Sequence, residues 1–358
     1  MKHRIHAALR ALAPLILLTA PAAARGAPPA AAPTVELVML GTAGGPNMRK
    51  DRSEPATLLR VGGATYLLDC GIGTLRRMVE AGIDSTQLSA IFITHLHPDH
   101  VLDLAAIMSN DLIAGIGAGG AGPRAIYGPV GIAALVDAAV RYISMPYAVF
   151  ADGGLIDPRG RPMADYVASK FAVHEIAAGT TIYRDDHVRV SAIENTHYRM
   201  MPATARAREK SYAYRFDTPA GSIVFTGDTG ASAPLAAFAK GADVLVSEVI
   251  DPRAITGMMQ GIAAKAHWSP EALSTALGHM TEEHLPPAAV ADLAREAGVG
   301  TIVLTHIVPG MDGDAALAAD DVRAIKAGFK GEVIAARDLD RLCLTRGANG
   351  RATLAPCR

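Results

Sequence analysis

Apolar residues fall along this chain in short, dense runs closed by glycine, and most of the runs are too short and too rich in β-formers to be helices. Residues 35–40 (VELVML) make the first strand, closed by Gly41, Gly44 and Gly45. Residues 56–61 and 64–69 make the next two, split by Gly62 and Gly63. Residues 73–81 (GTLRRMVEA) read as a helix ending near Gly82, and 88–94 (LSAIFIT) as a buried strand. Residues 104–116 and 131–142 predict helices on either side of a short strand at 125–127. The stretch 144–163 carries prolines and glycines with little periodicity, which predicts a surface loop or insertion. A strand follows at 188–193, then a hairpin of 211–216 and 222–226 around Thr218 to Gly221. The pattern closes with a strand at 244–249, a helix at 288–297 and a strand at 301–305. The last third thus repeats the order of the first, which predicts two similar halves and an α/β fold of four layers, an αβ/βα sandwich.

The N-terminus departs from this pattern. Lys2, Arg4 and Arg10 flank a short apolar run at 11–20, and Ala22 and Ala24 follow as an Ala-x-Ala site. That order predicts a signal peptide over 1–24, too short to span a bilayer comfortably, then an Ala/Pro-rich lead-in over 25–33 and a folded domain over 34–358. The expected location is periplasmic or secreted, with no membrane span once the leader is removed. Half of the 358 residues are hydrophobic and 19% are charged, a globular composition. A net charge of −1 and only 5% aromatic residues give no sign of a nucleic-acid binder, and none is expected. Of three cysteines, Cys343 and Cys357 lie close enough in sequence to pair, while Cys70 reads as a buried small residue.

The strongest chemical signal is Thr94-His95-Leu96-His97-Pro98-Asp99-His100, directly after a buried strand. Three imidazoles and a carboxylate within six residues are costly to bury for packing alone. Together they suit a divalent metal, zinc first, with manganese or iron as alternatives. The extended backbone points His95 and His97 the same way, and Asp99 and His100 turn toward a second position.

The H-x-H-x-D-H loop resembles the signature of the metallo-β-lactamase fold superfamily, and the resemblance runs from Gly41 to His306 and beyond. It implies three more ligands at strand ends, and His197 (ENTHY), Asp228 (FTGDTG) and His306 (VLTHI) stand at matching places. It implies two metal ions: one on His95, His97 and His197, the other on Asp99, His100 and His306, with Asp228 as bridge. Two such ions, about 3.5–4 Å apart, would share a hydroxide as nucleophile, with Asp99 orienting it. β-Lactamases of this fold lack the bridging Asp, so β-lactam hydrolysis is not the first expectation. In ribonuclease Z and its relatives, similar Glu and His-x-Thr positions set a histidine near the leaving group. Here Glu248 (LVSEV) and His279 (GHMT) are the matching candidates, with His284 nearby as the other choice of general acid. Gly41 to Pro46 lacks the Lys-Ser/Thr ending of a phosphate loop and reads as the floor of the site. Asp69 reads as a carboxylate supporting a metal-binding histidine. Lys210, Ser211, Tyr212 and Arg215 are candidates for meeting an anion. His174, His187 and His267 read as surface residues.

The resulting expectation is an exported, two-metal hydrolase of a small anionic ester, a phosphodiester or aryl sulfate, with a homodimer as a reasonable assembly. A lactonase, a ribonuclease Z-like nuclease and a catalytically dead binding protein are the alternatives.

Overall fold

The computed structural model describes residues 34–118, 122–179, 181–313, 315–347 and 349–357. The expected leader and lead-in lie outside them. Strands β1 (Thr34–Gly41), β2 (Ala56–Val61), β3 (Ala64–Leu68), β4 (Leu88–Phe92), β5 (Arg124–Gly128) and β6 (Phe171–Glu175) form one sheet. Strands β7 (Thr181–Arg184), β8 (Arg189–Glu194), β9 (Tyr212–Asp217), β10 (Ser222–Phe225), β11 (Val244–Ile250), β12 (Thr301–Val308) and β13 (Glu332–Ala335) form the second. The chain then returns to the first sheet with β14 (Arg341–Arg346) and β15 (Ala352–Pro356), giving the orders β15-β14-β1-β2-β3-β4-β5-β6 and β13-β12-β11-β10-β9-β8-β7.

Successive side chains of a strand point to opposite faces, and here both faces are covered. Leu37 and Met39 of β1 join Tyr66, Phe92, Tyr214 and Phe216 in the core between the sheets. Their neighbours Val38 and Leu40 pack outward with Ile91 and Ile93 under helices that contribute Leu104, Val136 and Val140. On the far side, Leu245 and Ile302 pack against Leu235, Val290, Leu293 and Ile325. This is the helix–sheet–sheet–helix layering expected, and burial on both faces is why the central strands read as dense apolar runs.

Two local expectations are corrected and one unassigned stretch is filled. The helix predicted to end at 142 runs over Ile132–Asp152, through the stretch read as a loop. Val136, Val140, Ile143 and Tyr147 keep one face buried past Pro146, whose cost as an interior proline the packing absorbs. By length and composition this helix could cross a membrane, but its buried stripe lies on the first sheet. Two helices, Pro252–Ala266 and Pro270–Glu282, occupy a stretch left unassigned between β11 and the helix Pro287–Ala297. Asp251 and Ser269 cap them, each with proline as the first helical residue, a start signal that needs no apolar periodicity.

Cys343 and Cys357 are bonded, tying β14 to the end of β15, while Cys70 is free and buried. The bond closes a loop across a separation of 14 residues. For a loop near that length the chain-entropy contribution is about 3 kcal/mol. Cys343→Ser with Cys357→Ser should therefore lower the urea midpoint of the oxidised protein to that of the reduced wild type. Equal midpoints for all three forms would deny the bond a stabilising role.

Candidate metal centre

The site is assembled where strands end. β3 and β4 run parallel in the first sheet, and β10, β11 and β12 run parallel in the second, so both sheets deliver their carboxyl ends to one edge. His95 leaves β4 and stands just ahead of the short helix Pro98–Val101, which holds Asp99 and His100. His197 follows β8 and Asp228 follows β10, while Glu248 lies on β11 and His306 on β12. A bridge between Ala43 and Ile307 brings the loop after β1 against His306. That loop needs its glycines. A Cβ on Gly44 would sit 2.2 Å from the Val308 side chain and 2.9 Å from the His306 ring. One on Gly45 would sit 2.2 Å from Asp99, whose carboxylate accepts the Gly45 N–H at 2.9 Å. The loop is a floor, as expected.

Every residue named as a metal ligand converges here. Ligand atoms of His95, His97 and His197 lie within 4.8 Å of one another, and so do those of Asp99, His100 and His306. Asp228 reaches both groups: its Oδ2 is 3.0 Å from His306 Nε2, 3.4 Å from His100 Nε2, 3.8 Å from His95 Nε2 and 4.0 Å from His197 Nε2. All but His97 are buried.

The histidines are held by their far nitrogens. His100 Nδ1 donates to Asp69 at 2.9 Å, and Asp69 is itself fixed by the Thr94 N–H at 2.8 Å. This is the supporting place suggested for Asp69. His197 Nδ1 donates to the Glu283 carbonyl at 3.2 Å. His95 Nε2, His100 Nε2 and both His306 nitrogens are buried without a hydrogen bond. Imidazole nitrogens left bare beside carboxylates are unfavourable unless a cation completes them, so this donor set fits divalent metal ions.

The electrostatics agree. Burial pushes His97 down to about 4 and His95 and His197 well below the usual imidazole range, leaving them neutral, the form that binds metal. Burial also opposes the charge of Asp228, but His306 and His100 outweigh it and hold this carboxyl well below the usual range. The converse is His306, which burial would lower but which Asp228 lifts to about 10. Protons on these rings thus neutralise the carboxylates where cations would otherwise do so.

The carboxylate–histidine pairing differs from the expectation. Glu248 backs His284, not His279: its Oε2 lies 2.6 Å from His284 Nδ1, and its Oε1 accepts the Thr229 N–H. His279 is backed by Glu283 at 2.5 Å, and its side chain is 37% exposed where that of His284 is 4% exposed. The reason is the packing of the helix Pro270–Glu282, which buries no residue and so keeps His279 at the rim. His284, followed by buried Leu285, enters the core edge. Burial pushes the His284 ring down, but the charge and hydrogen bond of Glu248 outweigh it and raise it. Burial also raises Glu248, so the pair holds a proton tightly, and we place it on the ring. Both histidines, His97, Asp99, Asp228 and His306 line a cavity of about 300 Å³.

Glu283 escaped sequence reading, although it backs His279, accepts the Met200 N–H at 2.6 Å and offers its carbonyl to His197. Its signal was position: the acid immediately before a buried histidine. The suggested anion-binding group does not reach the cavity. Lys210 pairs with Glu194 at 2.9 Å, Arg215 pairs with Asp217 at 2.9 Å, and Tyr212 and Ser211 are buried.

A family model described as "Beta-lactamase superfamily domain" matches residues 64–307. The chain belongs to the metallo-β-lactamase superfamily. It is a hydrolase of that fold. A ribonuclease Z of Mycobacterium marinum is 32% identical over 310 residues, covering 86% of this chain and 98% of that protein. A ribonuclease Z of Mycobacterium bovis (strain BCG / Pasteur 1173P2) is 30% identical with the same coverage. Human tRNase Z, short form, superposes with a TM-score of 0.57 at 19% identity, over 86% of this chain and 98% of that one, a likeness of fold alone. Two expectations fall with these matches. The small anionic ester as main reading, with the nuclease only an alternative, is overturned, because the relatives matched along almost their whole length are ribonucleases. So is the absence of a nucleic-acid partner: net charge averages the whole surface and says nothing about one local patch.

Proposed function

We propose that this protein is a two-metal ribonuclease that hydrolyses a phosphodiester bond of RNA, with zinc as the first choice of metal. Full-length similarity to ribonuclease Z, at 30% and 32% identity, carries the reading. The gathered ligand set and the buried His284–Glu248 pair support it.

In this reading His95, His97 and His197 would hold one ion and Asp99, His100 and His306 the other, with Asp228 as a ligand within reach of both groups. The ions, when bound, supply Lewis acidity toward the phosphoryl oxygens and lower the pKa of water. The chain does the rest. Asp99 accepts a hydrogen bond from the attacking water and aims it. His284, protonated and fixed in one tautomer by Glu248, gives its Nε2 proton to the departing oxygen. One P–O ester bond breaks and one P–O bond to water oxygen forms, leaving a phosphomonoester on one fragment and a free hydroxyl on the other. The bonded Cys343–Cys357 pair and the N-terminal pattern support action in an oxidising compartment outside the cytoplasm.

Incubation of the metal-loaded protein with a panel of RNAs, a precursor transfer RNA among them, tests the proposal. Cleavage should stop with chelator and yield ends free of 2′,3′-cyclic phosphate, because water attacks and not the neighbouring 2′-hydroxyl. No cleavage of any RNA, or cyclic-phosphate ends, would refute it.

A further inference from the structure

On the other side of the loop after β1 lies a cleft of about 870 Å³ that takes no part in the metal centre. Among the described residues, Arg52, Arg77, Arg323 and Arg337 line it with two acids, Asp51 and Asp338. The acids are already engaged. Asp338 accepts from Thr42 Oγ1 at 2.8 Å, from the Ser53 N–H at 2.6 Å and from Arg77 Nε at 3.1 Å. Asp51 accepts the Gly313 N–H at 3.1 Å. The Arg337 guanidinium has no hydrogen bond or ion pair among the described residues, and Arg323 pairs only with Asp320, three residues away on its own exposed helix face. Between the arginines the wall is apolar, formed by Met311, Ala318, Ala319, Val322 and Ala335.

The unpaired Arg337 guanidinium and the exposed Arg323, beside an apolar wall, match one kind of ligand: an anionic group attached to a planar ring. Guanidinium groups grip phosphate and stack on bases, and alanines leave room for a ring to lie flat. The walls are braced. The Asp51 N–H donates to Asp312 at 2.9 Å, and Arg49 Nη2 donates to the Pro309 carbonyl at 2.8 Å. The cleft also connects to the catalytic floor. Thr42, held by Asp338, stands three residues before Gly45, which holds Asp99, a chain distance of about 10 Å.

We propose that this cleft binds a nucleoside phosphate, the phosphate between Arg323 and Arg337 and the base on the wall of Met311 and Val322. The nucleotide is either free in solution or one unit of an RNA chain, and only the second source rests on the ribonuclease reading.

Adenosine 5′-monophosphate binding to the metal-loaded wild type and to Arg323→Glu/Arg337→Glu, followed by calorimetry, tests it. Both positions are exposed, so the fold and metal content should stay intact, as circular dichroism and elemental analysis would record; Arg323→Ala/Arg337→Ala supplies a milder second variant. The dissociation constant should rise at least roughly tenfold in the glutamate variant and less in the alanine variant, and adenosine without phosphate should bind the wild type far more weakly. A rise in KM for RNA in the same variants identifies an RNA unit as the ligand; lost nucleotide binding with unmoved KM identifies the free nucleotide. Unchanged nucleotide affinity in both variants overturns the proposal, whatever the RNA result. A wild type that binds the nucleotide in this cleft but cleaves no RNA leaves the cleft standing and removes the ribonuclease reading.

Discussion

Asp228→Ala should lower the metal content from about two ions per chain toward one, and the proposed RNA cleavage should fall by orders of magnitude. Asp228 lies within 4.0 Å of histidines from both trios through a single carboxylate oxygen, whose nearest neighbours are His306 and His100. Without it, two cations would face each other across a buried gap with no shared anion. The two halves should separate in the other variants. His197→Ala weakens mainly the site built on His95 and His97, and His306→Ala mainly that built on Asp99 and His100. Elemental analysis with circular dichroism makes the test. Two ions and full activity in Asp228→Ala would leave the shared role without support.

His284→Ala should slow cleavage roughly 10²–10⁴-fold, the usual worth of a positioned proton donor. His279→Ala should cost less than about tenfold, since its ring sits at the rim and is backed by a different acid. A pH profile separates proton donation from packing. Burial lowers His284, but Glu248 outweighs it and holds the ring above its ordinary value, so activity should be lost as pH rises through that raised value. In Glu248→Gln the opposing charge is gone and burial prevails. The alkaline limb of the profile then moves to lower pH. A limb that stays in place, or a greater loss in His279→Ala than in His284→Ala, would move the donor role away from His284.

What could be read from the sequence follows from how each feature is encoded. Strands such as β1 and β11 are buried on both faces, so most positions are apolar and the run is plain. Ligands at strand ends inherit that clarity: His95, Asp228 and His306 each follow or end such a run. The helices Pro252–Ala266 and Pro270–Glu282 were not legible, because the first buries only Ile255 and Ala263 and the second buries nothing, which leaves no stripe to detect. That gap carried an error with it. With no helix drawn there, the His-x-Thr resemblance put His279 first and His284 second, and only the packing decides that Glu248 meets His284. Local charge was illegible for a different reason: a net charge near zero is an average over the whole chain, and balance over the whole surface permits imbalance in one place.

Titration of metal-free protein with zinc, while RNA cleavage is followed, tests the central claim most directly. The account predicts no cleavage before metal is added and a rise that levels off at about two equivalents per chain. Cleavage by the metal-free protein, or a rate indifferent to zinc, manganese and iron alike, would contradict it.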